Sequence, residues 1–185
     1  EATRQAAREK TGQDPVLVLQ ITHSGRYCKP TGVPKPLIAH HSPILDPKHN
    51  LPPDYPLVTD DYLDRLQDRF VETARLAAQA GFDGIDVKSC HRYLMSELLA
   101  SHTREGRYGG SFENRTRLLR ESLARIRAEV PGVFICTRMS AFDAIAHPYG
   151  FGVDRQDGGR PDLAEPKRLA TELRSLGLAV LNISI

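Results

Sequence analysis

Residues Gly81–Arg115 read GFDGIDVKSCHRYLMSELLASHTREGRYGGSFENR. Within them, Gly84-Ile85-Asp86-Val87 has the length and apolar content of a short buried strand, and Gly81 stops the helix before it. Such a strand delivers Lys88, His91 and Tyr93 to one point at its carboxyl end. A cation, an imidazole and a phenol brought together there can polarise a carbonyl and pass a proton. Gly109-Gly110 reads as a turn and Ser111-Phe112-Glu113-Asn114-Arg115 as a capped helix start. Asn114 and Arg115 are expected to hold that loop by hydrogen bonds.

Outward from this stretch the pattern repeats. Residues 2–10 read as the end of a helix, stopped by Gly12 and Pro15, and Val16–Ile21 as a strand covered on both faces. A long excursion from Ser24 to Thr59 carries much of the proline. Thr59 or Asp60 can cap a helix whose inward stripe is Leu63, Leu66, Phe70, Ala74 and Ala77. After Ser111, the residues Leu118, Leu119, Ser122, Leu123 and Ile126 share a helix face, and Val133–Thr137 reads as another buried strand. A glycine-rich loop, a helix over Leu163–Leu176 and a strand over Leu178–Ile183 complete the series.

Alternating strands and helices imply parallel pairing with right-handed crossovers. No glycine fingerprint follows the first strand, which removes the main support for a nucleotide-binding open sheet. Polar residues sit instead past each strand end: His23 and Arg26, then Lys88, His91 and Tyr93, then Arg138, then Ser184. Barrel enzymes build their sites in this way, from about 250 residues. The 185 residues here fit a single partial (β/α)8 TIM-barrel domain over 1–185, about strands 3 to 6 with their helices.

A net charge of +2 gives no ground for a nucleic-acid partner, and no apolar run reaches the roughly 20 residues that span a bilayer. Three widely spaced cysteines, Cys28, Cys90 and Cys136, suit reduced thiols in a cytoplasmic setting. No CxxC or HxxxH spacing points to a metal.

Three motifs carry a resemblance. Gln20-Ile21-Thr22-His23-Ser24-Gly25-Arg26, the stretch quoted above, and Cys136-Thr137-Arg138-Met139-Ser140 lie in the order and spacing found in the Old Yellow Enzyme family of NADH:flavin oxidoreductases, which includes 2,4-dienoyl-CoA reductase. The resemblance implies an FMN-dependent ene-reductase that takes hydride from NAD(P)H and gives it to an activated alkene, a small unsaturated carbonyl compound. By that resemblance Gln20 bonds the pyrimidine edge of FMN and Arg138 places positive charge near flavin N1 and O2. Lys88 and His91 fall where the family grips the substrate carbonyl oxygen, with lysine in place of the family's first histidine. Tyr93 matches the tyrosine that protonates the α-carbon. His23 and Arg26 read as loop anchors or substrate-side groups.

The family's flavin-phosphate site, at strands seven and eight, lies outside these motifs, so the isolated chain is expected to bind FMN poorly and to be inactive. The 2,4-dienoyl-CoA reductase branch also carries an iron–sulfur cluster further along its chain. Two other readings stand beside the family one. Lys88 at a barrel strand end could form a Schiff base, as an aldolase would. A half barrel could also act as an association module, two copies pairing as a homodimer through the edges near Val16–Ile21 and Leu178–Ile183.

Overall fold

The computed structural model describes residues 2–185. In chain order it contains α1 (Ala2–Thr11), β1 (Val18–Ile21), α2 (Asp60–Gln79), β2 (Gly84–Val87), α3 (Leu94–Leu99), α4 (Phe112–Glu129), β3 (Phe134–Ser140), α5 (Ala164–Ser175) and β4 (Val180–Ser184). The strands pair in parallel in the order β1-β2-β3-β4, so each strand lies beside its neighbour in sequence.

Capping and stripe chemistry explain the long helices. Thr59 Oγ1 accepts from the Tyr62 N–H, and Asp60 and Asp61 place negative charge in the first turn of α2, where the helix dipole favours it. Leu63, Phe70, Val71, Ala74 and Ala77 bury the inner face of that helix. Ser111 Oγ accepts from the Asn114 N–H at the start of α4, which buries Leu118, Leu119, Leu123 and Ile126. These side chains share one core with Ile21, Ile85, Val87, Ile135 and Met139 of the sheet. Strand alternation therefore sends Gln20, Asp86, Arg138 and Asn182 to the other face.

The edge strands depart from expectation. β1 starts at Val18 rather than Val16, and Val18 is 42% exposed instead of covered on both faces. β4 starts at Val180, which is 51% exposed. On the helix side, β1 has Leu19 half-buried and Ile21 buried, whereas β4 has Leu181 half-buried and Ile183 50% exposed. β3 runs on to Ser140, so Arg138 lies inside a strand rather than past its end, as Ser184 does in β4. The helix α3 was not expected from periodicity: all six of its residues are buried, which leaves no polar face to betray it.

The excursion after β1 is anchored rather than loose. Arg26 is buried and donates to Glu97 Oε1 (2.5 Å), Asp46 Oδ1 (2.6 Å) and the His40 carbonyl (3.1 Å). Glu97 Oε2 accepts the Ala39 N–H at 3.1 Å. Loop and α3 are thereby one unit. Arg26 and Glu97 are loop-holding groups, and the counter-charges Glu97 and Asp46 escaped sequence reading because they lie 71 and 20 residues from Arg26. No helix among the described residues is long and apolar enough to cross a membrane.

Candidate functional site

The sheet face opposite the helices carries a connected set of polar groups. Gln20, Asp86 and Cys136 stand side by side in the register of β1, β2 and β3, and Arg138 pairs with Asn182 one step further along. Gln20 Nε2 donates to Asp86 Oδ2 at 2.8 Å, and the Arg138 backbone N–H donates to Asp86 Oδ1 at 2.9 Å. The β2–β3 ladder runs from Gly84↔Phe134 to Asp86↔Cys136 and resumes in the same register at Ser89↔Met139. In the gap, side chains replace ladder bonds: Asp86 takes the Arg138 N–H, and Thr137 Oγ1 donates to the Val87 carbonyl at 2.6 Å. Asp86 was read from sequence merely as a strand residue, although an acid between apolar strand neighbours was a visible signal.

Arg138 is half-buried, and its Nε is buried without a hydrogen-bond partner among the described residues. An unpartnered guanidinium nitrogen inside a folded protein is costly, which suits it to a ligand with acceptor atoms. Together with Gln20 it offers planar donors and an amide carbonyl on one sheet face. That set fits the pyrimidine edge of a flavin ring.

Just beyond the end of β2 the chain turns sharply. His91 and Arg92 take φ of 61° and 55°, successive left-handed residues that non-glycine side chains disfavour. The turn is held by Arg92 Nη2 donating to the Asp143 carbonyl at 2.8 Å and by the Leu94 N–H donating to the His23 carbonyl at 3.2 Å. His91 Nε2 comes within 3.3 Å of Ser184 Oγ at the end of β4. Partial burial, with the cations of Lys88 and Arg138 behind it, keeps the His91 imidazole below its ordinary pKa. At neutral pH it is therefore an uncharged hydrogen-bonding group.

Lys88 and Tyr93 meet: Lys88 Nζ is 3.8 Å from the centroid of the Tyr93 ring. Tyr93 also contacts Tyr27 from the loop after β1, with ring centroids 5.5 Å apart, and Tyr27 packs edge-on against His49 at 5.0 Å. Tyr27, 39% exposed, walls this side of the site and was not singled out by sequence reading. It sits beside a cavity of about 270 Å³ that Lys48 and His49 also line. His23 turns away from this point, its Nε2 paired with Tyr62 Oη at 2.7 Å and its Nδ1 accepting the Gly25 N–H at 3.0 Å. Asn114 and Arg115 hold the glycine loop, donating to the carbonyls of Gly106 (3.4 Å) and Gly110 (3.0 Å). The structure thus brings Lys88, His91 and Tyr93 to the carboxyl end of β2, with Gln20 and Arg138 on the adjoining sheet face.

The model of the NADH:flavin oxidoreductase / NADH oxidase family matches residues 4–154. The chain belongs to this family. Among curated relatives, N,N-dimethylglycine/sarcosine dehydrogenase of Chromohalobacter salexigens is 32% identical over 75% of the chain and 20% of the relative. The fold is that of a 2-naphthoyl-CoA reductase solved with 2-naphthoyl-CoA (TM-score 0.70, 24% identity, 98% of this chain, 28% of that one). It is also that of Old Yellow Enzyme from a Pichia species (TM-score 0.66, 21% identity, 98% of this chain and 50% of that one). The four-stranded sheet is accordingly part of a (β/α)8 barrel wall. The chain spans about a fifth to just under half of the length of the curated relatives it matches.

Proposed function

We propose that this chain supplies the ring-edge and proton-delivery part of an FMN-dependent NAD(P)H oxidoreductase that reduces the carbon–carbon double bond of an unsaturated carbonyl compound. The observation that carries the reading is the convergence of the unpartnered Arg138 Nε and the Gln20 amide on one sheet face with Lys88, His91 and Tyr93 at the adjoining strand end. Membership of a family described by NADH and flavin supports the cofactor pair. Bound FMN would supply the hydride, drawn from NAD(P)H, to the β-carbon of the alkene.

The residues of the chain do the rest. Gln20 and Arg138 bind the polar edge of the ring, and the fixed charge of Arg138 favours negative charge on it. His91 and Lys88 lie where an oxygen could gain negative charge as hydride arrives, a neutral donor beside a cation. The Tyr93 phenol gives its proton to the α-carbon, so that one hydride and one proton saturate the double bond. Tyr27 faces Tyr93 and shields this step from solvent on the loop side.

The activity belongs to the whole protein. FMN-loaded protein, reduced anaerobically with NADPH in deuterated water and mixed with cyclohexenone, should yield the saturated ketone with one solvent deuteron at the α-carbon. Tyr93→Phe should slow this half-reaction by roughly a hundredfold or more while leaving flavin reduction by NADPH intact. Equal rates for the two proteins in the alkene step would sink the assignment of Tyr93.

A further inference from the structure

We propose that Asp86 is a positioning residue that fixes the polarity of the Gln20 amide, so that the site takes a ring edge presenting an N–H donor. The inference rests on the reading of Gln20 as a ring-edge group and goes beyond it by stating which way that group must face. An ionised carboxylate only accepts hydrogen bonds. The contact of 2.8 Å between Gln20 and Asp86 Oδ2 therefore turns the NH2 side of the amide towards Asp86, one of its N–H groups bonded there. Gln20 Oε1, an acceptor, is left for the open face of β1.

Asp86 cannot drift from this task. Its other oxygen is tied by the Arg138 N–H at 2.9 Å, at the point where the β2–β3 ladder lapses, and the ladder's register is unchanged on either side. One carboxylate thus couples two groups, Gln20 through its side chain and Arg138 through its backbone. In an isoalloxazine ring the complementary donor is the imide N3–H. A ring with an acceptor or a methyl group there would leave Gln20 Oε1 without a partner.

Asp86→Asn offers a near-isosteric reversal. Its amide oxygen can still accept the Arg138 N–H, while its NH2 group now faces Gln20 and turns that amide round. Gln20→Glu, added to Asp86→Asn, restores an acceptor towards the ligand. The probes are lumiflavin and 3-methyllumiflavin, which bind through the ring alone, and the readout is the shift of backbone and side-chain amide NMR signals on titration. The unmodified protein should prefer lumiflavin by about tenfold, Asp86→Asn should lose most of that preference, and the double variant should regain it. The bulk of the methyl group is common to all three proteins, so the change in ratio reports the hydrogen bond.

An unchanged ratio in Asp86→Asn overturns the inference. Failure of the whole, otherwise unmodified protein to bind either ring defeats the reading of Gln20 and Arg138 as a ring-edge site. The claim about Asp86 is then decided in ligand-free protein, where the Gln20 side-chain NH2 signals must move on Asp86→Asn. If they stay in place, Asp86 does not orient Gln20.

Discussion

The Lys88 ammonium stands 3.8 Å from the centroid of the Tyr93 ring, so the lysine that departs from the family's histidine acts first on its neighbour. A cation over an aromatic face contributes about 0.5–1 kcal/mol at an exposed site and more when desolvated. Lys88→Met, which keeps the stem and removes the charge, should lower stability by about that amount. It should also slow the alkene half-reaction. If Lys88 works through Tyr93, the double variant Lys88→Met/Tyr93→Phe is no slower than Tyr93→Phe alone. Rapid-mixing rates for the three proteins close that cycle, and independent, multiplying losses would show that Lys88 acts on substrate directly.

The Arg26–Glu97 pair carries the loop after β1. Both side chains are buried, and burial pushes Glu97 up to about 7 against the pull of Arg26 and the Ala39 N–H. Glu97→Ala leaves the Arg26 guanidinium in the interior with one carboxylate fewer, a loss of about 3–5 kcal/mol. Glu97→Gln keeps an acceptor and should cost clearly less. Urea denaturation of the two variants gives the comparison; equal losses would mean that the acceptor kept by Gln contributes nothing and that the carboxylate's charge carries the whole effect.

Much of this was legible in the sequence because central elements obey simple periodicities. The apolar strand ending at Val87 and the stripes from Leu63 to Ala77 and Leu118 to Ile126 fall where expected, since each element has a covered face and a repeat long enough to register. The edges were harder: the apolar run at Val16–Ile21 announces a strand but not what lies on its second face, and Val16 is 68% exposed. Leu94–Leu99 was hidden because a fully buried turn-and-a-half of helix has no period to read. Lys88, His91, Tyr93, Gln20 and Arg138 were visible as motif residues. Asp86, Glu97 and Tyr27 were not, because their importance lies in contacts made across the fold, which spacing along the chain does not reveal.

At Gly25 the loop backbone packs directly against the start of α3. It takes φ of 57°, and a Cβ there would sit 2.5 Å from the Leu94 backbone nitrogen, one residue past Tyr93. Gly25→Ala should lose about 1–2 kcal/mol from the left-handed backbone alone. The collision with Leu94 adds to that and displaces Tyr93. Gly81→Ala is the control, with φ of 87° and nothing within 4 Å of the added carbon. Thermal unfolding should show a larger loss at Gly25 than at Gly81, with the alkene half-reaction impaired at Gly25 only. Equal effects at both positions would place the whole cost in the backbone angle.

His40 sets an acid limit on the fold. Ser101 Oγ donates to the Glu97 carbonyl at 2.8 Å, so the 3.0 Å contact with His40 must be a bond from His40 Nδ1–H to that oxygen. Nε2 is then the unprotonated nitrogen, and it is buried with no partner among the described residues. Protonation would place an N–H there without an acceptor, in the neighbourhood of the Arg26 cation. Burial first, and Arg26 second, lower His40 to about 3. The folded pKa lies below the ordinary value of 6.5, so the unfolded chain binds more protons between these limits. The associated stability is present above pH 6.5 and is lost as pH falls, by up to about 1.4 kcal/mol per pH unit. His40→Gln retains a donor for Ser101 but cannot titrate. Urea midpoints at pH 7 and pH 5 should therefore fall more for the unmodified protein than for His40→Gln, whereas parallel pH profiles would show that His40 accepts its proton within the fold.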